Sequence, residues 1–386
     1  MLPSRTWFAA SAALVLASSP SAGGQATSAN VASRKPLIIA ADSGARMEQL
    51  ANGVFAIIHD DAIQSFPDGS TDWPHSNVGV VVGDSGVLIV DSNFYPSRAT
   101  ADIALVRRVT NKPVRFLVNT HWHGDHTHGN AVYQDSFPRM TIVGARDNGQ
   151  FIGVNQARYP LSAIAPGSTT RALLASHEAM LARGTDSTGR SLTTADRALL
   201  ARVIAQRRKQ LAEFALVRPA APTVLFDREM SIDLGGRVVQ LVDRGHANSP
   251  NDVTIYLPAE RILFTGDIVV WPVPYTFDAY PRPWARVLQE LENLPAVAIV
   301  PGHGPVMADH AYIRQVRGLL ETAIAQVDTM MRRGRLRPDV EQAANLERLK
   351  PSFVQPGDAT AEAYWDAAVK HSLIERVYQC LQGSRC

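Results

Sequence analysis

Cysteine is nearly absent from this 386-residue chain: there are two, Cys380 and Cys386, both at the C-terminus. That excludes a disulfide framework and a cysteine-based zinc site, so a metal here has to be held by nitrogen and oxygen. In an oxidising compartment the two thiols could pair and pin the tail; their spacing permits this and nothing in the sequence requires it. An excess of one charge is missing too. Thirty-eight Lys and Arg against 36 Asp and Glu leave +2, too balanced for a general nucleic-acid or membrane-surface binder. No apolar run is long enough for a bilayer: Trp7–Ala17 spans 11 residues, where a crossing helix needs about 20. What the chain does have is core material. Hydrophobic residues make up 46% and charged residues 19%, which rules out wholesale disorder, and the length suits about two domains or one with insertions.

The run Trp7–Ala17 follows Arg5, the one charge before it, and leads into Ser, Pro, Gly and Ala. A charged start, a short apolar stretch and a small-residue exit make a secretory signal over residues 1–26. Cleavage is expected after Ala26, with the neighbourhood of Ala22 as the alternative. Loss of Arg5 lowers the net charge to +1, and the mature protein is expected to be periplasmic or secreted, without stable membrane insertion.

Two β-rich stretches flank a helical one. Val54–Ile58, Val78–Val82 and Val87–Val90 read as strands, the last two joined by Gly83-Asp84-Ser85-Gly86, a hairpin turn. A helix over Ser97–Val109 and a strand over Val114–Val118 follow. From about residue 150 to 221 the spacing is helical, with an N-terminal cap at Thr193–Asp196. Strands return at Thr223–Phe226, Val238–Val242, Val253–Leu257 and Ile262–Phe264, and residues 307–386 are helical again. The pattern of apolar run, turn, apolar run and Asp recurs at Val80–Asp91 and Ile255–Asp267. Two such β units suggest a sandwich of two sheets.

Directly after Val114–Val118 stands Asn119-Thr120-His121-Trp122-His123-Gly124-Asp125-His126-Thr127-His128, with four of the eleven histidines. On extended backbone His121 and His123 point the same way and can share an ion. Gly124 then lets the chain turn and brings Asp125 and His126 round. Imidazole and carboxylate suit Zn²⁺. His128 is the odd one out, not expected to be a ligand. Two metal sites need further groups, and His246, Asp267 and His303 each lie just past a strand beside a glycine.

His121-Trp122-His123-Gly124-Asp125-His126, Gly245-His246, Thr265-Gly266-Asp267 and Pro301-Gly302-His303-Gly304, in that order, resemble the metallo-β-lactamase-fold hydrolases. The resemblance covers about residues 53–150 and 223–306, leaving aside the helical insertion (about 150–221) and the tail. It implies an α+β fold, an αββα four-layer sandwich of two mixed sheets, with that insertion and a helical C-terminal extension on a domain over 27–306. It implies two Zn²⁺, with iron or manganese as alternatives: His121, His123 and His246 on one, Asp125, His126 and His303 on the other, Asp267 bridging. A hydroxide shared by the metals would cleave a small ester, thioester, lactone or amide, with Asp125 and Asp267 as catalytic acids handling the proton. Asp91 is expected to hydrogen-bond a ligand imidazole from behind. Trp271 and Tyr275, in an aromatic and proline-rich stretch after Asp267, are candidate contacts for a small-molecule substrate. A β-lactamase is the alternative activity, and an iron dioxygenase of the same fold a further one.

Overall fold

The computed structural model describes residues 44–59, 75–384 and Cys386, apart from the side chains of 150 and 155–157, and the backbone of short strands at 38–40, 64–65 and 71–72. The expected signal segment lies outside the described residues.

Eight strands form the first sheet, in spatial order the same as chain order: β1 (Ile38–Ala40), β2 (Ala45–Ala51), β3 (Val54–His59), β4 (Val78–Val82), β5 (Val87–Val90), β6 (Val114–Val118), β7 (Thr141–Ala145) and β8 (Val224–Phe226). Pairing is antiparallel as far as β5 and parallel from β5 to β8. The second sheet carries β9 (Glu229–Asp233), β10 (Val238–Asp243), β11 (Val253–Leu257), β12 (Ile262–Val270) and β13 (Ala298–His303), antiparallel except for β12 and β13. The two repeated β units are thus one hairpin in each sheet, β4–β5 and β11–β12, each followed by a parallel neighbour.

Period-two alternation sorts the strand residues into layers. In β3, Val54, Ala56 and Ile58 pack against Val239, Leu241, Ile255 and Phe264 between the sheets. Phe55 and Ile57 face outward to α1 (Pro96–Val109), with Ile103 and Val106. Because both faces are covered, β3 and β5 read as unbroken apolar runs. Outside the second sheet, the helices Pro281–Glu292 and Ala311–Arg332 bury Trp284, Leu288, Val316 and Leu320. The C-terminal segment packs on them through Trp365, Ile374 and Val377 in an α–π–α run ending in α-helix Ile374–Leu381. The chain is therefore an αββα sandwich with a helical C-terminal segment.

Between β7 and β8 stand three helices: Arg146–Ile164, Thr169–Arg183 and Thr194–Phe214. The last is capped as its sequence predicts, the Thr193 side chain accepting from Asp196 N while the Asp196 carboxylate accepts from Thr193 N. Cys380 and Cys386 form a disulfide, Cα atoms 4.8 Å apart.

Two strands run further than periodicity predicts. β12 does not stop at Phe264 but continues to Val270, with register shifts around Gly266. Asp267 accordingly sits inside a strand irregularity rather than beyond a strand end. β13 includes His303 as its last residue, so this histidine ends a strand rather than lying just past one.

Candidate metal centre

Six carboxylate or imidazole groups converge where the loop after β6 meets the irregularity within β12 and the end of β13. Asp125, His126, Asp267 and His303 offer ligand atoms within 4.8 Å of one another, and so do His121, His123 and Asp267. The loop after β6 supplies most of them. His123 is extended and caps a single helical turn, Gly124–Thr127, so Asp125 and His126 come round to a different side from His121 and His123. Gly124 acts through close approach rather than through a special backbone angle: a Cβ there would lie 2.4 Å from the His128 ring. Gly302 leaves room for Asp267 in the same way, since a Cβ would stand 2.0 Å from its Oδ1.

The distances have the form of ligand-to-ligand edges. His126 Nε2 lies 3.1 Å from Asp267 Oδ1 and 3.5 Å from Asp125 Oδ2; His303 Nε2 lies 3.0 Å from Asp125 Oδ2 and 3.4 Å from Asp267 Oδ1. His121 Nε2 is 2.9 Å from His123 Nδ1 and 3.6 Å from Asp267 Oδ2. Atoms bound tetrahedrally at 2.0–2.1 Å to one ion stand about 3.3 Å apart. His126 Nε2, His303 Nε2 and both Asp267 oxygens are buried with no hydrogen-bond partner. Buried polar atoms are seldom left so unless an ion or water completes them. The donor set fits a pair of divalent cations sharing Asp267.

Hydrogen bonds behind the ligands choose the tautomers. Asp91, 2% exposed, accepts from Thr120 N at 2.8 Å and from the Thr120 hydroxyl at 2.8 Å, and stands 2.7 Å from His126 Nδ1. In its neutral form, the one a metal ligand must adopt, His126 therefore carries its proton on Nδ1 and presents a bare Nε2. The Thr120 hydroxyl, committed to Asp91 as donor, is 3.0 Å from His121 Nδ1 and can only accept there, which likewise bares His121 Nε2. His123 points its Nε2 at Asp278 Oδ2, 3.5 Å away, and keeps Nδ1 for the centre.

The electrostatics follow from burial and charge. Burial, aided by the His126 and His123 rings, holds His121 well below the usual histidine range. Burial opposes protonation of His126 as well, but Asp267, Asp125 and Asp91 outweigh it and raise this imidazole well above. Asp125 and Asp267 would be raised by burial, yet the surrounding histidines hold both below the carboxylate range. The pocket is thus built to keep carboxylates ionised and a positive charge among them.

His246, expected beside His121 and His123, belongs to neither group. It is exposed, its ring stacked on Tyr280 with centroids 4.0 Å apart. The loop after β10 closes on itself: Asp243 Oδ1 accepts from Gly245 N and from Asn251 Nδ2, both at 2.8 Å, and Asp252 N donates to Gly245 O at 3.0 Å. That closure carries His246 to Tyr280 and leaves Asp267 as the third group near the first pair. Trp271 also departs from expectation. It is 43% exposed and packs on Gly304, outside the lining of the cleft, because β12 extends through Val270. Tyr275 does line the cleft, its ring 5.3 Å from that of His303. His128 is buried, stacked on Phe94 at 5.2 Å, with burial lowering its pKa to about 4.

The cleft has a volume of about 680 Å³. Asp125, Asp267 and Asn248 line it together with the apolar rings of Phe94, Trp122 and Phe277 and with Arg158, Ser162, Thr170 and Arg207 of the three inserted helices. Neither Asp278 nor Asn248 carried a spacing signal; both sit in loops whose course is set by tertiary contacts.

Asp252, at the foot of this loop, gives a pH prediction for the metal-free protein. Burial pushes its carboxyl up to about 7, against about 3.9 in an unfolded chain. Between those values the unfolded chain releases a proton that the folded chain keeps, so stability falls as pH rises, by roughly 4 kcal/mol across the window. In excess chelator, Asp252→Asn should match the wild type in urea unfolding near pH 4 and exceed it by about that amount near pH 8. An equal difference at both pH values would contradict this.

The sequence model of the metallo-beta-lactamase superfamily matches residues 71–303, more than half of the chain. A linear primary-alkylsulfatase from Pseudomonas sp. (strain ATCC 19151) is 23% identical over 316 residues, which cover 79% of this chain and 55% of that protein. The chain thus spans about half the length of this curated relative. Among solved structures, the stereoselective inverting sec-alkylsulfatase from Pseudomonas sp. aligns with a TM-score of 0.57 at 16% identity, over 86% of this chain and 49% of the other. A metallo-beta-lactamase from Pontibacter korlensis aligns with a TM-score of 0.46 at 18% identity, over 72% and 99%. With two mixed sheets between helical layers and His/Asp clusters at their edge, the chain belongs to the metallo-β-lactamase superfamily.

Proposed function

We propose that this protein is an exported dinuclear zinc hydrolase that cleaves a small ester, thioester, lactone or amide, with alkyl sulfate esters first among the esters. The observation that carries the reading is the sharing of Asp267, whose two oxygens, buried and without hydrogen-bond partners, lie near two groups of ligand atoms. His121, His123 and Asp267 would hold one ion, and Asp125, His126, His303 and Asp267 the other. A pair of divalent ions in such a site supplies a nucleophile at neutral pH and Lewis-acid stabilisation of charge.

The chain's own residues do the rest. Asp91 and Thr120 fix the ligand tautomers. Asp125, whose side chain is 24% exposed, opens on the cleft and is placed to take the proton from the attacking water. Phe94, Trp122, Tyr275 and Phe277 offer an apolar surface for a substrate tail, and Arg158 and Arg207 offer positive charge for an anionic group. An alkyl chain bearing a sulfate has both properties, and the names of the two Pseudomonas relatives agree with that choice.

A substrate panel tests this: alkyl sulfates, p-nitrophenyl esters, thioesters, lactones and nitrocefin, each with and without chelator. Turnover of an ester-class substrate that disappears on chelation is the expected result. Nitrocefin as the best substrate would favour a β-lactamase, and oxygen consumption with bound iron a dioxygenase. Export predicts that protein recovered from periplasm or medium begins shortly after Ala22 or Ala26; cytoplasmic protein with Met1 intact would contradict it.

A further inference from the structure

The first ligand group has one fewer donor than the second. His121 Nε2, His123 Nδ1 and Asp267 Oδ2 make three, and His246 is turned away. We propose that Asn248 completes this group, its side-chain oxygen serving as a neutral ligand to the cation held by His121 and His123; this rests on the dinuclear reading above.

Three observations carry it. Asn248 is 1% exposed and lines the same cleft as His123, Asp125 and Asp267. Its Nδ2 donates to the carbonyl oxygen of Tyr275. A carbonyl only accepts, so the orientation of the amide is settled and Oδ1 is on the opposite side. That Oδ1 is buried and has no hydrogen-bond partner. An amide oxygen held by its own NH₂, in a cleft with three ligands, has the chemistry of a fourth.

The loop that displaced His246 explains how Asn248 takes this place. Tyr280 N donates to Ala247 O at 2.9 Å, and Ala247 N to Ser249 O at 3.1 Å. These bonds pin the backbone on either side of Asn248. An amide oxygen is a harder donor than imidazole and carries no charge. The two sites should therefore differ: the carboxylate-rich Asp125/His126/His303 site is the tighter, and the His121/His123/Asn248 site the weaker and the more tolerant of Mn²⁺.

Titration of the chelated full-length protein with Zn²⁺ and with Co²⁺, followed by calorimetry and the visible Co²⁺ spectrum, tests this without reference to turnover. The wild type is expected to bind two equivalents in a tight and a weaker step. Asn248→Ala should keep the tight step and weaken the other by about 10–100-fold or more, with a changed Co²⁺ spectrum for the second equivalent. Asn248→Asp separates a ligand from a structural amide. It retains an oxygen donor but loses the hydrogen bond to Tyr275, so a ligand role predicts that two-step binding survives. Wild-type titration by Asn248→Ala, or equal loss in Asn248→Asp and Asn248→Ala, would overturn the assignment while leaving the dinuclear reading intact. Fewer than two equivalents on the wild type would overturn both.

Discussion

Replacing Asp267 with alanine is expected to empty both halves of the metal centre at once. Its two oxygens are the nearest carboxylate atoms to His121 Nε2, at 3.6 Å, and to His126 Nε2, at 3.1 Å, so no other single side chain serves both groups. Losing it leaves the imidazoles of His121, His126 and His303 gathered in a buried space with one anion fewer. Metal content should fall from two equivalents to less than one. Turnover should fall by about three to four orders of magnitude, the equivalent of several kcal/mol of charge stabilisation in the transition state. Elemental analysis beside a rate measurement checks both. Asp267→Ala with two equivalents of metal and undiminished turnover would show that the shared carboxylate is not the bridge.

Asp91→Asn should do nearly as much damage from outside the centre. The variant is isosteric and touches neither group of ligand atoms directly, but the amide nitrogen cannot accept from His126 Nδ1 or from Thr120. Facing a donor, His126 would shift its proton to Nε2, the atom that has to remain bare. The Thr120 hydroxyl would lose its acceptor and with it the reason to accept from His121. The expected loss is about 10–100-fold in metal affinity at the His126 site, read by competition with a chromophoric chelator. Unfolding of the metal-free form should change little by comparison. Affinity equal to the wild type would mean that Asp91 is only a buried strand-end acid.

The legible part of this protein was the part encoded locally. His121, His123, Asp125 and His126 fall in one six-residue span just after a strand that reads as one, and neither the loop nor its chemistry depends on distant contacts for recognition. Asp267 and His303 were readable only beside the His121–His126 loop, since an acid or imidazole next to glycine after an apolar run is by itself more often a turn or ordinary polar residue, and periodicity ended both strands too early. It missed the irregularity at Gly266 and the pairing of Val270 with His303. His246 has the same local appearance and a different fate. The hydrogen bonds of Asp243 to Gly245 and Asn251 decide where that loop goes, and a donor and acceptor eight residues apart leave no pattern in sequence. Asn248 and Asp278 were invisible for a related reason: each is a common loop residue until the fold sets it beside the cluster. Strand β2 escaped notice because its sequence, Ala45-Arg46-Met47-Glu48-Gln49-Leu50-Ala51, carries charge on a half-covered face. Helix Ser97–Val109, the inserted helices and the C-terminal helices were legible from spacing, whereas Pro281–Glu292, behind its prolines, and the place of the inserted helices along the cleft were not.

In the proposed centre, five buried or half-buried groups around Asp267 would hold two divalent cations on which hydrolysis depends. Metal analysis of the purified full-length protein, with the substrate panel run before and after exhaustive chelation and again after zinc is returned, addresses this dependence most directly. The expected result is two equivalents of zinc per chain, activity lost with the metal and regained with it. Undiminished turnover by protein stripped of all metal would contradict the account.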